Sequence, residues 1–305
     1  MHAPRSQPVS YAPRLLVGLR DIAQDYDVLL CDIWGVIHNG AVYFLQAVDA
    51  LSRFRAKGGT VVLITNAPRP RGHVIDFLDE LGVPRAAYDG LVSSGDITVS
   101  LILARGDQPL AHIGPMQDRS LFAAAEDLSG RAVRFAGLED AGFVVCTGFF
   151  DADQEILDDY LPRLDLMRRR GLDFICANPD IVVEVGDTLV YCAGALAEAY
   201  AALGGRVIQA GKPYPPIYAR ALGEAAVLSG KAIDLTRVLA IGDAMHTDIK
   251  GAQAQALNSL FVTSGIHRAE LHGGPRATEL DAAAFRQFFE NTGFAPTMAS
   301  PELIW

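Results

Sequence analysis

The chain has 305 residues, half of them apolar, and a formal net charge of −10 at neutral pH. Because single hydrophobic cores stop growing at roughly 250 to 300 residues, this length favours two cores. The acidic balance argues against binding to nucleic acid or to an anionic membrane surface.

The beginning of the chain carries no signal for secretion or for a membrane. Residues 1–12 predict a loose proline-rich arm, and residues 15–23 predict a short amphipathic helix. We find no run of 18 apolar residues and no apolar segment that resembles a signal peptide. We therefore expect a cytoplasmic protein. Four widely spaced cysteines within apolar runs predict buried thiols rather than zinc ligands or disulfides.

A βαβ unit follows the arm. Residues 28–31 are apolar throughout, which predicts a strand buried on both faces, and residues 60–65 predict a second such strand after a helix over 44–57. Asp32 follows the earlier strand and Thr65 ends the later one. Because the carboxyl ends of parallel strands share one edge of a sheet, we expect Asp32 and Thr65 side by side. Alone, an Asp at this position is more often a turn or cap residue.

The remaining sequence predicts further alternating strands and helices. From about residue 105 the pattern of apolar and polar residues changes, which predicts a second α/β unit with its own core. The predicted strands cover residues 91–96, 111–114, 131–135, 143–147, 173–177, 206–209, 236–241 and 259–263. The predicted helices cover residues 71–81, 97–103, 118–127, 152–169, 193–203, 215–228 and about 244–256. We expect the strand at 206–209 to return to the first unit and the tail after Thr292 to be a loop.

Five polar residues would converge at the carboxyl edge of the sheet: Asp32, Thr65, Lys212, Asp243 and, behind it, Asp248. A carboxylate can attack phosphorus to form an acyl phosphate, and two or three carboxylates can hold Mg²⁺. A lysine and a hydroxyl offset the remaining phosphate charge, and the lysine also keeps the nucleophilic carboxylate ionised. This combination favours phosphoryl chemistry.

Four segments carry a resemblance to a known family: Asp32-Ile-Trp-Gly-Val36, Leu63-Ile-Thr-Asn66, Gly211-Lys-Pro213 and Ile241-Gly-Asp-Ala-Met-His-Thr-Asp248. They resemble, in order and spacing, the four motifs of the haloacid dehalogenase superfamily. The similarity is greatest to its class IIA or NagD-like sugar-phosphatase branch, which includes p-nitrophenylphosphatase-type and pyridoxal phosphate phosphatases. Ala177-Asn-Pro-Asp180 and Gly194-Ala-Leu196 resemble stretches of that branch's cap.

The resemblance implies an α/β fold in which an α/β cap domain, residues 105–205, is inserted into a Rossmann-like parallel-sheet core, residues 1–104 and 206–305. It further implies catalytic roles for Asp32, Lys212 and Thr65, with Asp32 as nucleophile. Phosphate and substrate would contact Thr65, Asn66, Lys212 and, from the cap, Asn178. The implied cofactor is Mg²⁺, held by Asp32, the backbone oxygen of Trp34 and Asp243, with Asp248 supporting them from the outer shell.

Trp34 departs from the family pattern. Phosphatases of the family place a second aspartate there, as general acid and base, whereas the indole N–H has no proton that titrates in range. One hypothesis is that His246, Asp180 or Asp151 substitutes for it. Another is a substrate whose leaving group needs no proton, and a third is a site that binds a phosphorylated ligand without turnover.

The leading prediction is a Mg²⁺-dependent phosphatase of a small phosphorylated metabolite that acts through an aspartyl-phosphate on Asp32. Its rivals are a non-catalytic phospho-metabolite binding protein and a dehalogenase or phosphonate-type hydrolase. Substrate choice would be made by the cap, where the loops at residues 147–150 and 178–180 are as consistent with facing the nucleophile as with ordinary loop and strand-end residues. Arg69 is likewise as consistent with a surface residue as with a substrate contact. The sequence leaves the substrate and the oligomeric state open, a homo-oligomer included.

Overall fold

Two parallel sheets and one small hairpin form the framework of the protein in the computed structural model, which describes residues 13–185, 188–274, 279–292 and 294–305. The predicted arm at residues 1–12 lies outside the described residues. The α/β class with parallel sheets is confirmed.

Within these residues the strands are β1 (Arg14–Leu15), β2 (Val28–Cys31), β3 (Thr60–Thr65), β4 (Gly90–Ser93), β5 (Leu110–Ile113), β6 (Phe143–Cys146), β7 (Asp173–Cys176), β8 (Val182–Val185), β9 (Thr188–Tyr191), β10 (Val207–Gln209), β11 (Val238–Gly242), β12 (Asn258–Val262) and β13 (Met298–Ser300). The α-helices are α1 (Leu45–Ala56), α2 (Arg71–Glu80), α3 (Ser94–Leu103), α4 (Ser120–Ser129), α5 (Leu161–Arg170), α6 (Ala193–Ala202), α7 (Pro215–Ser229), α8 (Lys250–Ala254), α9 (Arg268–Leu271) and α10 (Ala282–Thr292). None of the helices in this described part is long and apolar enough to cross a lipid bilayer.

The larger sheet has the strand order β1-β13-β12-β11-β2-β3-β4 and is parallel throughout. Side chains of β2 alternate between two cores: Leu29 and Cys31 pack with α1 and α2, whereas Val28 and Leu30 pack with α7 and α8. Because helices cover both faces, β2 must be apolar at every position, as its sequence indicated. The prediction of buried thiols is confirmed, since all four cysteines are free and buried.

The smaller sheet has the order β10-β7-β6-β5 and is also parallel. Its strand β10 was expected to return to the larger sheet, and its pairing with β7 corrects that expectation. Arg206, just before β10, and Arg105, after α3, both form ion pairs with Asp173 on β7. The chain therefore re-enters the larger sheet only after residue 209, and the predicted division after residue 205 stays a prediction.

Other local expectations are also corrected. Residues 15–23 form β1 and a 3-10 turn, Leu19–Asp21, rather than an α-helix. Their buried side chains Leu16, Leu19 and Ile22 recur every three residues, which is the period of a 3-10 helix. Residues 131–135 make a single bridge to β5 through Phe135 instead of a strand, and residues 152–156 precede a 3-10 turn and α5 rather than belonging to a helix.

The tail was predicted to be a loop, yet β13 lies inside the larger sheet between β1 and β12. Its sequence Met-Ala-Ser carries little strand propensity, so the pairing on both sides decides its conformation. Beyond the strand, Leu303 is buried in the same core as α1 and α2.

We expect Leu303→Ala to lower the free energy of unfolding by about 2–5 kcal/mol, because it removes buried methyl groups and leaves a cavity. Leu128→Ala is the matched control, since Leu128 is 73% exposed on α4, and it should change stability by less than about 0.5 kcal/mol. Urea unfolding followed by circular dichroism measures both. Equal effects of the two substitutions would contradict the packing of the tail.

Candidate active site

The carboxyl ends of three neighbouring strands bring the predicted acids together. Asp32 follows β2, Asp243 follows β11 and Thr65 ends β3, and β2 lies between the other two strands. The N–H of Asp32 donates to the carbonyl of Ile241 at 2.8 Å, which holds the ends of β2 and β11 side by side. All three polar side chains are buried.

Lys212 reaches the same point from the smaller sheet. Its Nζ donates to Asp32 Oδ1 at 2.5 Å and to Asp248 Oδ1 at 2.6 Å, and its side chain is only 3% exposed. Asp248 stands on a π-helical turn, Met245–Ile249, where its Oδ2 accepts a hydrogen bond from the Ala244 N–H. Asp248 is therefore linked to Asp32 through the Lys212 ammonium.

Asn66 locks the Lys212 segment in place. Its Oδ1 accepts from the backbone N–H of Lys212 at 2.7 Å, and its Nδ2 donates to the backbone oxygen of Lys212 at 3.2 Å. The same Nδ2 donates to Asp180 Oδ1 at 2.9 Å. A Cβ at Gly211 would lie 2.2 Å from Asn66 Oδ1, so only glycine fits before the lysine. Both amide protons of Asn66 are therefore engaged within the protein.

The cluster holds more negative charge than Lys212 offsets. Carboxylate oxygens of Asp32, Asp243 and Asp248 lie within 4.8 Å of one another. Burial raises the pKa of Asp32 well above its usual range, repulsion from Asp248 adds to the rise, and Lys212 opposes it. Burial and Asp248 likewise raise the pKa of Asp243 to about 7. Hard oxygen donors with unmatched negative charge are the kind of ligand set that Mg²⁺ or Ca²⁺ prefers.

Lys212 itself stays charged. Burial alone would lower its pKa, but the charges of Asp248 and Asp32 outweigh burial and raise the pKa well above the ordinary value.

Backbone groups of two loops surround the carboxylate of Asp243. The N–H of Ile266 donates to its Oδ2 at 2.8 Å. A Cβ at either Gly35 or Gly265 would lie 2.0 Å from that oxygen, so the two glycines let two loops close around the carboxylate. At Gly35 the φ of +78° adds a second reason for glycine.

Trp34 occupies the wall next to Asp32. Its ring packs edge-to-face on His38, with centroids 5.0 Å apart, and a Cβ at Gly40 would touch the ring. Burial lowers the pKa of His38 to about 4, and its Nδ1 accepts from the Gly40 N–H. His38 is therefore neutral at pH 7 and supports the Trp34 loop rather than titrating in the site.

A cavity of about 270 Å³ opens above these residues, between the carboxyl edges of the two sheets. It is lined by Asp32, Trp34, Gly35, Asn39, Phe44, Thr65, Asn66, Asp180, Val182, Val183, Lys212, Asp243, Ala244, Thr247, Ser264, Gly265, Ile266 and Arg268. The sequence did not single out the stretch after β12, residues 264–268, although its position at a strand end was the available signal.

The other residues named from the sequence separate into two groups, those that line the cavity and those that do not. Asp180 lines the cavity, whereas Asn178, the predicted substrate contact, is not part of its wall and instead accepts from the Asp180 N–H at 3.1 Å. His246 and Asp151 are exposed and outside the wall. Arg69 pairs at 3.1 Å with the buried Asp118, on the turn that follows β5, and is likewise outside the wall.

Comparisons with known proteins match this chain to the family that the four motifs resemble. The family model described as "Haloacid dehalogenase-like hydrolase" matches residues 29–126, and the one described as "HAD-hyrolase-like" matches residues 209–284. A crystal structure of a haloacid dehalogenase-like hydrolase from Brucella suis is 41% identical, covers 95% of this chain and 100% of its own, and has a TM-score of 0.81. The chain belongs to the haloacid dehalogenase-like hydrolases. The resemblance drawn from the four motifs is thereby confirmed.

Two further relatives of this hydrolase carry more specific names. D-glycerol 3-phosphate phosphatase of Mycobacterium tuberculosis is 28% identical over 82% of this chain and 67% of its own length. A crystal structure of a glycerol phosphate phosphatase from the same organism, in complex with calcium, is 26% identical over 87% of this chain and 76% of its own, with a TM-score of 0.60.

Removing the positive charge of Lys212 should destabilise the hydrolase. We expect Lys212→Met to lower the free energy of unfolding by about 3–5 kcal/mol, because buried carboxylates are left without their partner. Lys250→Met is the control, since Lys250 is exposed on α8, and it should stay within about 0.5 kcal/mol of the wild type. Urea unfolding in a metal-free buffer measures both. A Lys212→Met protein as stable as the Lys250→Met protein would contradict the charge balance described.

Proposed function

We propose that this hydrolase is a Mg²⁺-dependent phosphatase of a small phosphorylated metabolite and that it acts through an aspartyl-phosphate on Asp32. The observation that carries the proposal is the position of Asp32 at the floor of the cavity, 2.5 Å from the Lys212 ammonium and beside Asp243. Phosphatase relatives that are similar over most of the chain support the same activity.

Each residue has a distinct role in this proposal. Asp32 supplies the attacking carboxylate oxygen, and its hydrogen bond with Lys212 orients it and favours its ionised form. The Lys212 ammonium also offsets the charge of the phosphoryl oxygens. Thr65 lines the cavity next to Asp32 and offers its hydroxyl to the phosphate. Asn66 has no free amide proton, so its side chain acts by holding Lys212.

Asp32, the backbone oxygen of Trp34 and Asp243 would hold the metal, with Asp248 supporting them through Lys212. The excess negative charge of the acidic cluster fits a divalent cation, and the calcium complex of a relative supports one. When bound, Mg²⁺ supplies charge stabilisation at a phosphoryl oxygen. The choice of Mg²⁺ over Ca²⁺ is part of the proposal.

The cavity has room for a small phosphate monoester beside Asp32, and Val182 and Val183 on β8 contribute an apolar part of its wall. The acidic surface gives no support for a polyanion such as nucleic acid. A cytoplasmic location and assembly into a homo-oligomer stay predictions from the sequence.

Asp32→Asn should abolish Mg²⁺-dependent phosphate release from p-nitrophenyl phosphate and from a panel of small phosphate monoesters, because the amide is not a nucleophile. Asp76→Asn on the exposed face of α2 should leave the rate unchanged. Chelation by EDTA should abolish wild-type release, and added Mg²⁺ should restore it. Metal-dependent turnover that persists in Asp32→Asn would refute the mechanism.

Gly265→Ala should weaken the binding of Mg²⁺, because its Cβ would lie 2.0 Å from Asp243 Oδ2 and must displace the carboxylate. Disturbing the support of a ligand typically costs about 10- to 100-fold in metal affinity. The Mg²⁺ dependence of the melting temperature measures the affinity without relying on turnover. Gly223→Ala is the control, because no atom lies within 4 Å of its Cβ, and an equal loss of affinity in both variants would count against Asp243 as a ligand.

A further inference from the structure

Asp180 is a carboxylate of the cavity wall to which the proposed function assigns no role. Among the residues that the structure describes, the acids lining the cavity are Asp32, Asp243 and Asp180. The proposed function uses Asp32 as nucleophile and Asp243 as a metal ligand. Asp180, which comes from the loop after β7 in the smaller sheet, remains.

The reaction needs an acid that Trp34 cannot be. Cleaving an alkyl phosphate expels an alkoxide, which is a strong base and leaves readily only when it receives a proton in the transition state. The indole of Trp34 has no proton that titrates near neutral pH. Of the three substitutes suggested by the sequence, His246 and Asp151 are exposed and away from the cavity, and only Asp180 lines it.

The contacts of Asp180 leave one oxygen available. Its backbone N–H donates to Asn178 Oδ1, which fixes the loop, and its Oδ1 accepts from Asn66 Nδ2 at 2.9 Å. Within the described ranges this is the only hydrogen bond of its side chain, so Oδ2 is left for a proton. Asn66 also bonds to the backbone N–H and the backbone oxygen of Lys212. Because Lys212 in turn contacts the nucleophile Asp32, Asp180 is held in a fixed position relative to Asp32.

We propose that Asp180 is the general acid, and then the general base, of the reaction at Asp32. This inference rests on the proposed phosphatase function. Burial raises the pKa of Asp180 to about 6, although Lys212 and the Asn66 hydrogen bond lower it in part. A carboxyl group with a pKa near neutrality can both give and take a proton, as the two half-reactions require.

The proton and the bonds balance over the two steps. In the phosphorylation step, a carboxylate oxygen of Asp32 bonds to phosphorus, the bond from phosphorus to the leaving oxygen breaks, and the Asp180 carboxyl proton moves to that oxygen to give an alcohol. In the hydrolysis step, the Asp180 carboxylate takes a proton from water as the water oxygen bonds to phosphorus. The bond between phosphorus and Asp32 then breaks, and Asp180 is protonated again.

The test separates leaving groups in the first turnover. In Asp180→Asn, rapid mixing with an alkyl phosphate that the wild type cleaves should show alcohol release slowed by about 10²- to 10⁴-fold. With p-nitrophenyl phosphate, whose phenolate leaves without a proton, the first turnover should stay within about threefold of the wild type, because a typical acid contributes little to such a group. A burst of about one p-nitrophenolate per enzyme should follow, since the missing base slows hydrolysis of the aspartyl-phosphate.

Asp118→Asn is the matched control. Asp118, on the 3-10 turn that follows β5, is also a buried aspartate that accepts from a residue after β3, here Arg69, but it lies outside the cavity wall. Its substitution should change the first turnover of both substrates by the same factor.

Equal slowing of both substrates in Asp180→Asn, or no slowing of either, would overturn the role of Asp180. A wild type that cleaves aryl but no alkyl phosphates would overturn it as well, because such an enzyme uses no acid. A wild type without Mg²⁺-dependent release from any phosphate ester would instead refute the proposed function, so the two failures are distinguishable.

Discussion

The buried ammonium of Lys212 between Asp32 and Asp248 is the constraint on which the rest of the site depends. It lies where the carboxyl ends of two parallel sheets face each other, and it arrives from the strand that belongs to the smaller sheet. Without it, three carboxylates would be buried close together in a medium that screens their repulsion poorly. The same lysine therefore joins the sheets and favours the charged form of Asp32 and Asp243.

Asn66 fixes the positions of the groups around Lys212. Its side-chain amide bonds to the backbone N–H and the backbone oxygen of Lys212 and also to the carboxylate of Asp180. Glycines at positions 35, 211, 242 and 265 let the surrounding loops come within contact distance of Asn66, Asp243 or Asp248. The acids are thus ordered by backbone that could not approach if those positions carried side chains.

The proposed chemistry is divided between the two sheets. The proposed nucleophile and metal ligands follow strands of the larger sheet, whereas the proposed acid lies on a loop of the smaller one. The ion pair between Arg69 and the buried Asp118 is a second link across the same boundary. A site divided in this way is complete only while the smaller sheet stays over the larger one.

The sequence by itself determined the family through its four motifs, and the α/β class and the doubly buried strand β2 through local apolar runs. The meeting of Asp32, Thr65 and Asp243 follows from the rule that parallel strands of one sheet end at one edge. Lys212 joins them from the smaller sheet, which that rule does not predict. Only the tertiary structure decided that β10 joins the smaller sheet, that Met298–Ser300 is a strand and that Asp180 rather than Asn178, His246 or Asp151 faces the cavity. Those outcomes depend on pairing and hydrogen bonds between residues far apart in sequence, such as Asn66 with Asp180, and no local pattern encodes them.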